Sequence, residues 1–322
     1  MLAGQGSMNH TELRWQVKGT DLGIMWSSQP GQVLLAFGDT FGSAWRGIGT
    51  HDLAQLHDWR SNTLARSTDP NLADGLWFDG YVTDLPNHAR ELLPSKKIDN
   101  VEVTVIPTGG INAGGRDYLA FMSVRHWGET GGTWTTNHAG IAFSDDNGRT
   151  WTEAPGSRRA NTPDFDDPFQ MVSFARRDGF IYAFGTPNGR FGSAHLARVP
   201  ENALLDLGAY QYFDGAGWQL DPRRAVPIVP GPVGEISVHY HEGLDQWLMT
   251  YLDESRHEIV LRMAPVPTGP WGPEEVLASA EMYPALYGAF IHPSSNGSDL
   301  YFTMSQFGPY NVSLMRVRLG PP

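Results

Sequence analysis

The sequence predicts an all-β chain, folded as one five-bladed β-propeller over residues 1–322. Three observations carry this. Glycine (37) and proline (23) are abundant and no long amphipathic helical pattern occurs, which points to many short strands joined by turns. A unit of apolar runs separated by turn residues recurs five times along the chain. Residues 144–151, SDDNGRTW, match the Asp-box pattern S-x-D-x-G-x-T-W, a hairpin turn between outer blade strands. In such a turn the Asp accepts turn hydrogen bonds, the Gly takes φ > 0 and the Trp packs beneath. Asp146 therefore reads as structural.

The first unit lies in residues 19–42, GTDLGIMWSSQPGQVLLAFGDTFG. Two apolar-rich runs flank Gln29, Pro30 and Gly31, which supply turn chemistry. Folding the hairpin there places opposite one another residues whose numbers sum to about 60. Asp21 and Asp39 then become near-direct cross-strand neighbours. Opposed side chains have Cβ atoms roughly 4.5–5.5 Å apart, where like charges are destabilising. A register one residue off would instead leave one Asp as a turn residue in Gly38-Asp39-Thr40. A close carboxylate pair is what acid–base hydrolysis of a glycosidic bond needs.

The other units are residues 102–127, 168–185, 235–253 and 287–308, each with a Gly-containing turn between two apolar runs. Third runs follow at 62–68, 138–144, 193–199, 258–264 and 312–318. Five units give about 64 residues each, the size of a blade with its loops. The unpaired run at 13–17 is expected to be the outer strand that closes the ring onto the last blade.

In a propeller the starts of first strands and the ends of second strands share one face. Besides Asp21 and Asp39, those positions hold Glu102, His126, Trp127, Asp167, Glu235, Asp253, Tyr287 and Gln306. A carboxylate-rich ring with aromatic residues between suits sugar hydroxyls and ring faces. Asp253, in Leu252-Asp253-Glu254-Ser255, reads as a turn residue. The long insertion at 43–100 carries Trp59-Arg60-Ser61-Asn62. Arg60 there could hold a carboxylate or a hydroxyl, and Asn62 joins it as a candidate substrate-binding residue.

The net charge of −12 disfavours nucleic acid and anionic membranes as partners. Cysteine is absent, so there is no disulfide framework and no thiolate metal site. No run of about 18 apolar residues exists to span a membrane, and the first 15 residues lack a signal-peptide profile. The motifs of phosphate-binding loops, serine-hydrolase elbows and zinc proteases are missing. No cofactor is required, although a structural calcium ion could sit in the channel on backbone and carboxylate oxygens. No protein partner is expected.

Residues 4–11 (GQGSMNHT), 19–23 (GTDLG), 37–42 (FGDTFG) and 59–62 (WRSN) resemble a family of actinobacterial and phage proteins. That family was long described only as a domain of unknown function and includes endo-D-arabinanases acting on mycobacterial arabinogalactan and lipoarabinomannan. The resemblance spans essentially the whole chain. It implies a fold similar to five-bladed propeller glycosidases, two essential aspartates at Asp21 and Asp39, D-arabinan as the partner, and a secreted, cell-wall or phage-associated setting. It leans towards inversion at the anomeric carbon, which needs carboxyl groups about 6.5–9.5 Å apart, against the ~5 Å of retaining enzymes. The rival readings are a non-catalytic arabinan-binding propeller, such as an adhesin, and a sialidase-like glycosidase suggested by the Asp box.

Overall fold

The computed structural model describes residues 1–47 and 57–320. Five antiparallel sheets stand around a common axis, each with its first strand innermost. The inner strands are Leu22–Ser27, Thr104–Ala113, Met171–Arg177, Gly234–His241 and Leu286–Ile291, each packed on the next and the last on the first. They run in the same sense along the axis. Their starts therefore gather at one end of the channel, as a propeller requires.

The third runs form the strands Thr63–Ser67, Trp134–Ser144, Ala194–Pro200, Glu258–Ala264 and Asn311–Arg318. These residues form strands because their buried apolar side chains, such as Leu64, Ile141, Leu196 and Val260, pack between neighbouring blades. On the second strands, Phe37, Phe184, Trp247, Tyr251 and Phe302 are among the large side chains fully buried between the blades. Polar groups stitch the blades together as well. Asp117, buried on the second blade, accepts hydrogen bonds from Trp26 Nε1 (3.1 Å) and Ser28 Oγ (2.7 Å) of the first.

The ring closes differently from the expectation. Residues 13–17 do not form the outer strand, because Thr11–Arg14 is a single helical turn. Ala3 instead pairs with Val312 of the last blade, with Leu2 N donating to Val312 O at 2.7 Å and Val312 N to Ala3 O at 3.1 Å. Leu2 and Ala3 are buried apolar residues, whereas Leu13 is 72% exposed. The short segment before the glycines makes the better closing edge.

The Asp box sits where the motif places it, between Trp134–Ser144 and Thr152–Glu153. Asp146 accepts from Thr150 N (2.8 Å), Thr150 Oγ1 (2.7 Å) and Ser144 Oγ (2.8 Å). These donors hold its carboxyl down at about 2. Trp151 packs edge-on to Trp26 with ring centroids 6.3 Å apart. Asp146→Asn should lower stability by about 1 kcal/mol above pH 4, with little change in catalytic rate. A denaturation midpoint equal to wild type would remove the box from the stabilising interactions. Among the described residues, no helix is long and apolar enough to cross a membrane.

Candidate active site at the axial cavity

A cavity of about 1060 Å³ opens at the end of the axis where the inner strands begin. Asp21, Asp39, Trp59, Trp127, Glu235 and Tyr287 are among its walls. A second cavity of about 560 Å³ opens at the opposite end of the same strands.

Backbone irregularities aim the side chains into the first cavity. The first hairpin keeps the sum-to-60 register from Ser27↔Val33 to Ile24↔Ala36, then shifts by one at Leu22↔Phe37. Asp21 therefore faces Gly38, whose N–H donates to Asp21 O at 3.2 Å. Direct cross-strand pairing of the two aspartates is thus corrected by one residue. Asp21 Oδ1 occupies the space a Cβ on Gly38 would need, so only glycine fits opposite it. Similar shifts interrupt the starts of the fourth and fifth inner strands, at Gly234–Ser237 and Tyr287–Phe290. Leu22 (φ 68°) and Glu235 (φ 40°) sit in the left-handed region. Bulges of this kind re-aim side chains and gather at functional sites.

Both aspartates are buried, yet their surroundings differ. Trp59 Nε1 (2.8 Å) and Thr104 Oγ1 (2.5 Å) both donate to Asp39 Oδ1. Burial pushes Asp39 up to about 6, while those two donors and the nearby Lys97 ammonium pull against it. Asp21 Oδ2 accepts from Tyr287 Oη at 2.9 Å, and Oδ1 is buried without a hydrogen-bond partner. Burial, then the charge of Asp39, pushes Asp21 up to about 7, against the pull of the Tyr287 and Tyr310 hydroxyls. Near neutral pH such a pair holds one proton more readily than none. Asp39, with two donors and a cation, is the better carboxylate. Asp21 is the better proton carrier.

These shifts set a stability trend. A carboxyl whose folded pKa lies above its unfolded value binds more protons when folded, so stability falls as pH rises between the two. For Asp21 that window runs from about 4 to about 7. Asp21→Asn should therefore raise the melting temperature at pH 8 relative to wild type, and the gain should vanish below pH 4. A variant less stable than wild type at pH 8 would contradict this.

The far wall is a charged triad. Arg190 Nε donates to Glu235 Oε1 at 2.8 Å and Nη1 to Glu254 Oε2 at 3.3 Å. Its guanidinium lies 4.8 Å from the centroid of the Tyr287 ring. Among the described residues, no group of three His, Asp or Glu side chains converges to hold a metal ion.

The sequence candidates divide by place. Asp21, Asp39, His126, Trp127, Glu235 and Tyr287 line the cavity. His126 is at the rim with Nδ1 2.7 Å from Asp99 Oδ1, and Trp127 packs on Trp134 at 5.5 Å. Arg60, Asn62, Glu102, Asp167 and Gln306 do not line the cavity. Arg60 donates to Ala89 O (3.0 Å) and Gln16 O (2.7 Å), tying the insertion to the N-terminal segment. Asn62 bonds four backbone groups between the first two blades. Glu102 accepts from Ser123 Oγ at 2.7 Å. Asp167 caps the turn into the third blade through Phe169 N at 3.0 Å, and Gln306 donates to Pro284 O at 3.2 Å. Asp253 is the turn residue expected, accepting from Ser255 N at 3.0 Å.

Sequence reasoning missed Thr104, Trp59, Tyr310, Lys97 and Arg190. The second inner strand starts at Thr104, two residues beyond the expected Glu102, which moves the polar first position from Glu102 to Thr104. Trp59 stood beside Arg60 in a motif already singled out. Arg190 comes from the loop after Phe180–Thr186, and nothing local marks it.

Fold and cavity together define a five-bladed propeller with a buried carboxylate pair at the mouth of its axis. The chain belongs to the family described as Domain of unknown function (DUF4185), whose model matches residues 6–316. Notoamide biosynthesis cluster protein J of Aspergillus sp. (strain MF297-2) is 32% identical over 316 residues, 91% of this chain and 81% of that protein. Protein J′ of Aspergillus versicolor is 33% identical over 313 residues, 91% and 82% of the two chains. Among solved structures, a putative hydrolase from Bacteroides ovatus ATCC 8483 superposes with a TM-score of 0.63 at 14% identity, covering 96% of this chain and 88% of that one. A GH43_1 enzyme from Xanthomonas citri gives 0.54 at 15%, covering 97% and 90%. An exo-β-1,3-galactanase from Phanerochaete chrysosporium gives 0.55 at 13%, covering 94% and 65%. At these identities the structural likeness establishes the propeller fold.

Proposed function

We propose that this protein is a glycoside hydrolase that cuts D-arabinan within the chain, with Asp21 and Asp39 as its acid–base pair. The observation that carries the reading is two buried carboxyls facing one cavity, both pushed up towards neutral pH and unequally supplied with donors. Asp21 gives its proton to the leaving oxygen as the C1–O bond breaks. Asp39 takes a proton from the water whose oxygen attacks C1, with inversion. Trp59, Trp127 and Tyr287 supply ring faces to the sugars. The substrate places the protein outside the cell, or on a wall or phage particle. That the hydrolase from B. ovatus, the GH43_1 enzyme and the galactanase share this fold is consistent with a glycosidase.

A sialidase-like site would need a free arginine cluster for its substrate carboxylate. Among the described residues Arg190 is the arginine lining the cavity, and it is already paired with two glutamates. A second reading follows from the relatives named for a notoamide biosynthesis cluster: the cavity then takes a small organic molecule, against apolar walls such as Ile106, Met122 and Phe290. Incubation with mycobacterial arabinogalactan, followed by chromatography, separates the readings. New oligosaccharides are expected. Retention on the polymer without cleavage would make this an arabinan-binding propeller, and neither retention nor cleavage would favour the second reading.

A further inference from the structure

Buried ion pairs normally satisfy both carboxylate oxygens. The pair between Arg190 and Glu235 does not. Glu235 Oε1 takes the guanidinium N–H at 2.8 Å, while Oε2 is buried with no donor at hydrogen-bond geometry; the Gly288 N–H favours the carboxylate only from farther off. The residue lines the cavity. It is held in the left-handed region at φ 40°, inside the bulge between Gly234 and Ser237. A non-glycine residue kept there carries strain that a purely structural ion pair has no need of. Two further contacts connect this corner to the acid–base pair. The Arg190 guanidinium lies over Tyr287, whose hydroxyl donates to Asp21.

From this we infer that Glu235 Oε2 is a hydroxyl-reading acceptor, which takes a hydrogen bond from an alcohol of the sugar bound beside Asp21. Arg190, braced from behind by Glu254 at 3.3 Å, is the positioning residue that fixes the carboxylate plane. The inference rests on the carbohydrate reading of the cavity, but not on arabinan as the sugar. The Arg190 guanidinium already occupies the place between the two glutamates that a cation would take, which leaves Glu235 Oε2 to a neutral hydroxyl donor. The strained, half-satisfied carboxylate is completed only when a ligand arrives. A site built this way discriminates strongly against an analogue lacking the hydroxyl, because the acceptor is then left unpaired.

The test uses the Asp39→Asn protein, which should bind without cutting. Its affinity is measured by titration calorimetry for oligosaccharides of D-arabinan, xylan and β-1,3-galactan, and for singly deoxygenated versions of whichever binds. Adding Glu235→Gln should weaken the parent sugar by roughly 10- to 100-fold while the melting temperature stays within a few degrees. One deoxy sugar should bind poorly to the Asp39→Asn protein but as well as its parent to the double variant. That lost selectivity is a readout a folding defect does not produce. Arg190→Gln should lose the same selectivity. If xylan or galactan binds in this Glu235-dependent way and arabinan does not, the inference stands and the arabinan reading falls. Unchanged affinity in Glu235→Gln, undiminished selectivity, or no binding of any of the three sugars would overturn it.

Discussion

Asp39→Asn and Asp21→Asn should each lower kcat on D-arabinan by a factor of about 10³ or more, with KM changed far less. In the proposed mechanism each substitution removes a group that moves a proton in the transition state. The losses should differ in their pH dependence. Wild type should show a bell-shaped profile whose limbs, belonging to the pair as a unit, lie near 6 and 7. In Asp21→Asn, Asp39 loses a neighbouring charge, and residual activity should keep only the acidic limb. In Asp39→Asn the residual activity should fall as pH rises through the titration of Asp21. Thr104→Val offers a milder version of the same test, since it removes a 2.5 Å donor from Asp39 and should move the acidic limb upward. Near-wild-type kcat in either asparagine variant would remove that residue from the mechanism.

The largest loss of stability is expected from Asn62→Ala. Asn62 is fully buried. Its amide nitrogen donates to Leu93 O and Val105 O, both at 2.8 Å, and its oxygen accepts from Leu92 N (3.0 Å) and Leu93 N (2.8 Å). Alanine removes the shared partner of two carbonyls and two N–H groups. Each orphaned buried group costs about 1–3 kcal/mol, so the total should reach about 3 kcal/mol or more. The damage is local to the junction of the first two blades, so Asp39, held by Thr104 across that junction, should also become less well ordered. Denaturant melts with an unchanged slope would measure the effect, and a loss below about 1 kcal/mol would show that the junction does not depend on this side chain.

What the sequence could reveal follows from how local each feature is. The third strands appear where their apolar runs lie, because period-two patterning is written within seven or eight residues. The Asp box is equally local, with donors and acceptor inside eight residues. The first hairpin was legible to within one residue, and the bulge at Leu22 is what displaced it. A bulge changes which residues face each other without changing the pattern of residue types. Asp21 and Asp39 could be singled out because both belong to one hairpin. Arg190, Tyr310 and Lys97 reach the same cavity from different blades and loops, so no spacing joins them to the aspartates. Asn62 and Arg60 stood out for their chemistry, yet their polar atoms are spent on backbone carbonyls and amides that only the assembled fold supplies. The closing segment was misplaced because Leu2-Ala3 is too short to show a strand pattern of its own.

We propose that Asp21 and Asp39 together cleave an arabinofuranosidic bond. NMR of D-arabinan digests, recorded as reducing ends first form and before mutarotation, tests it most directly. Wild type should generate new reducing-end anomeric signals, first in the configuration opposite to that of the bond cut, and Asp39→Asn should generate none on the same timescale. New reducing ends appearing with Asp39→Asn at the wild-type rate would contradict the account.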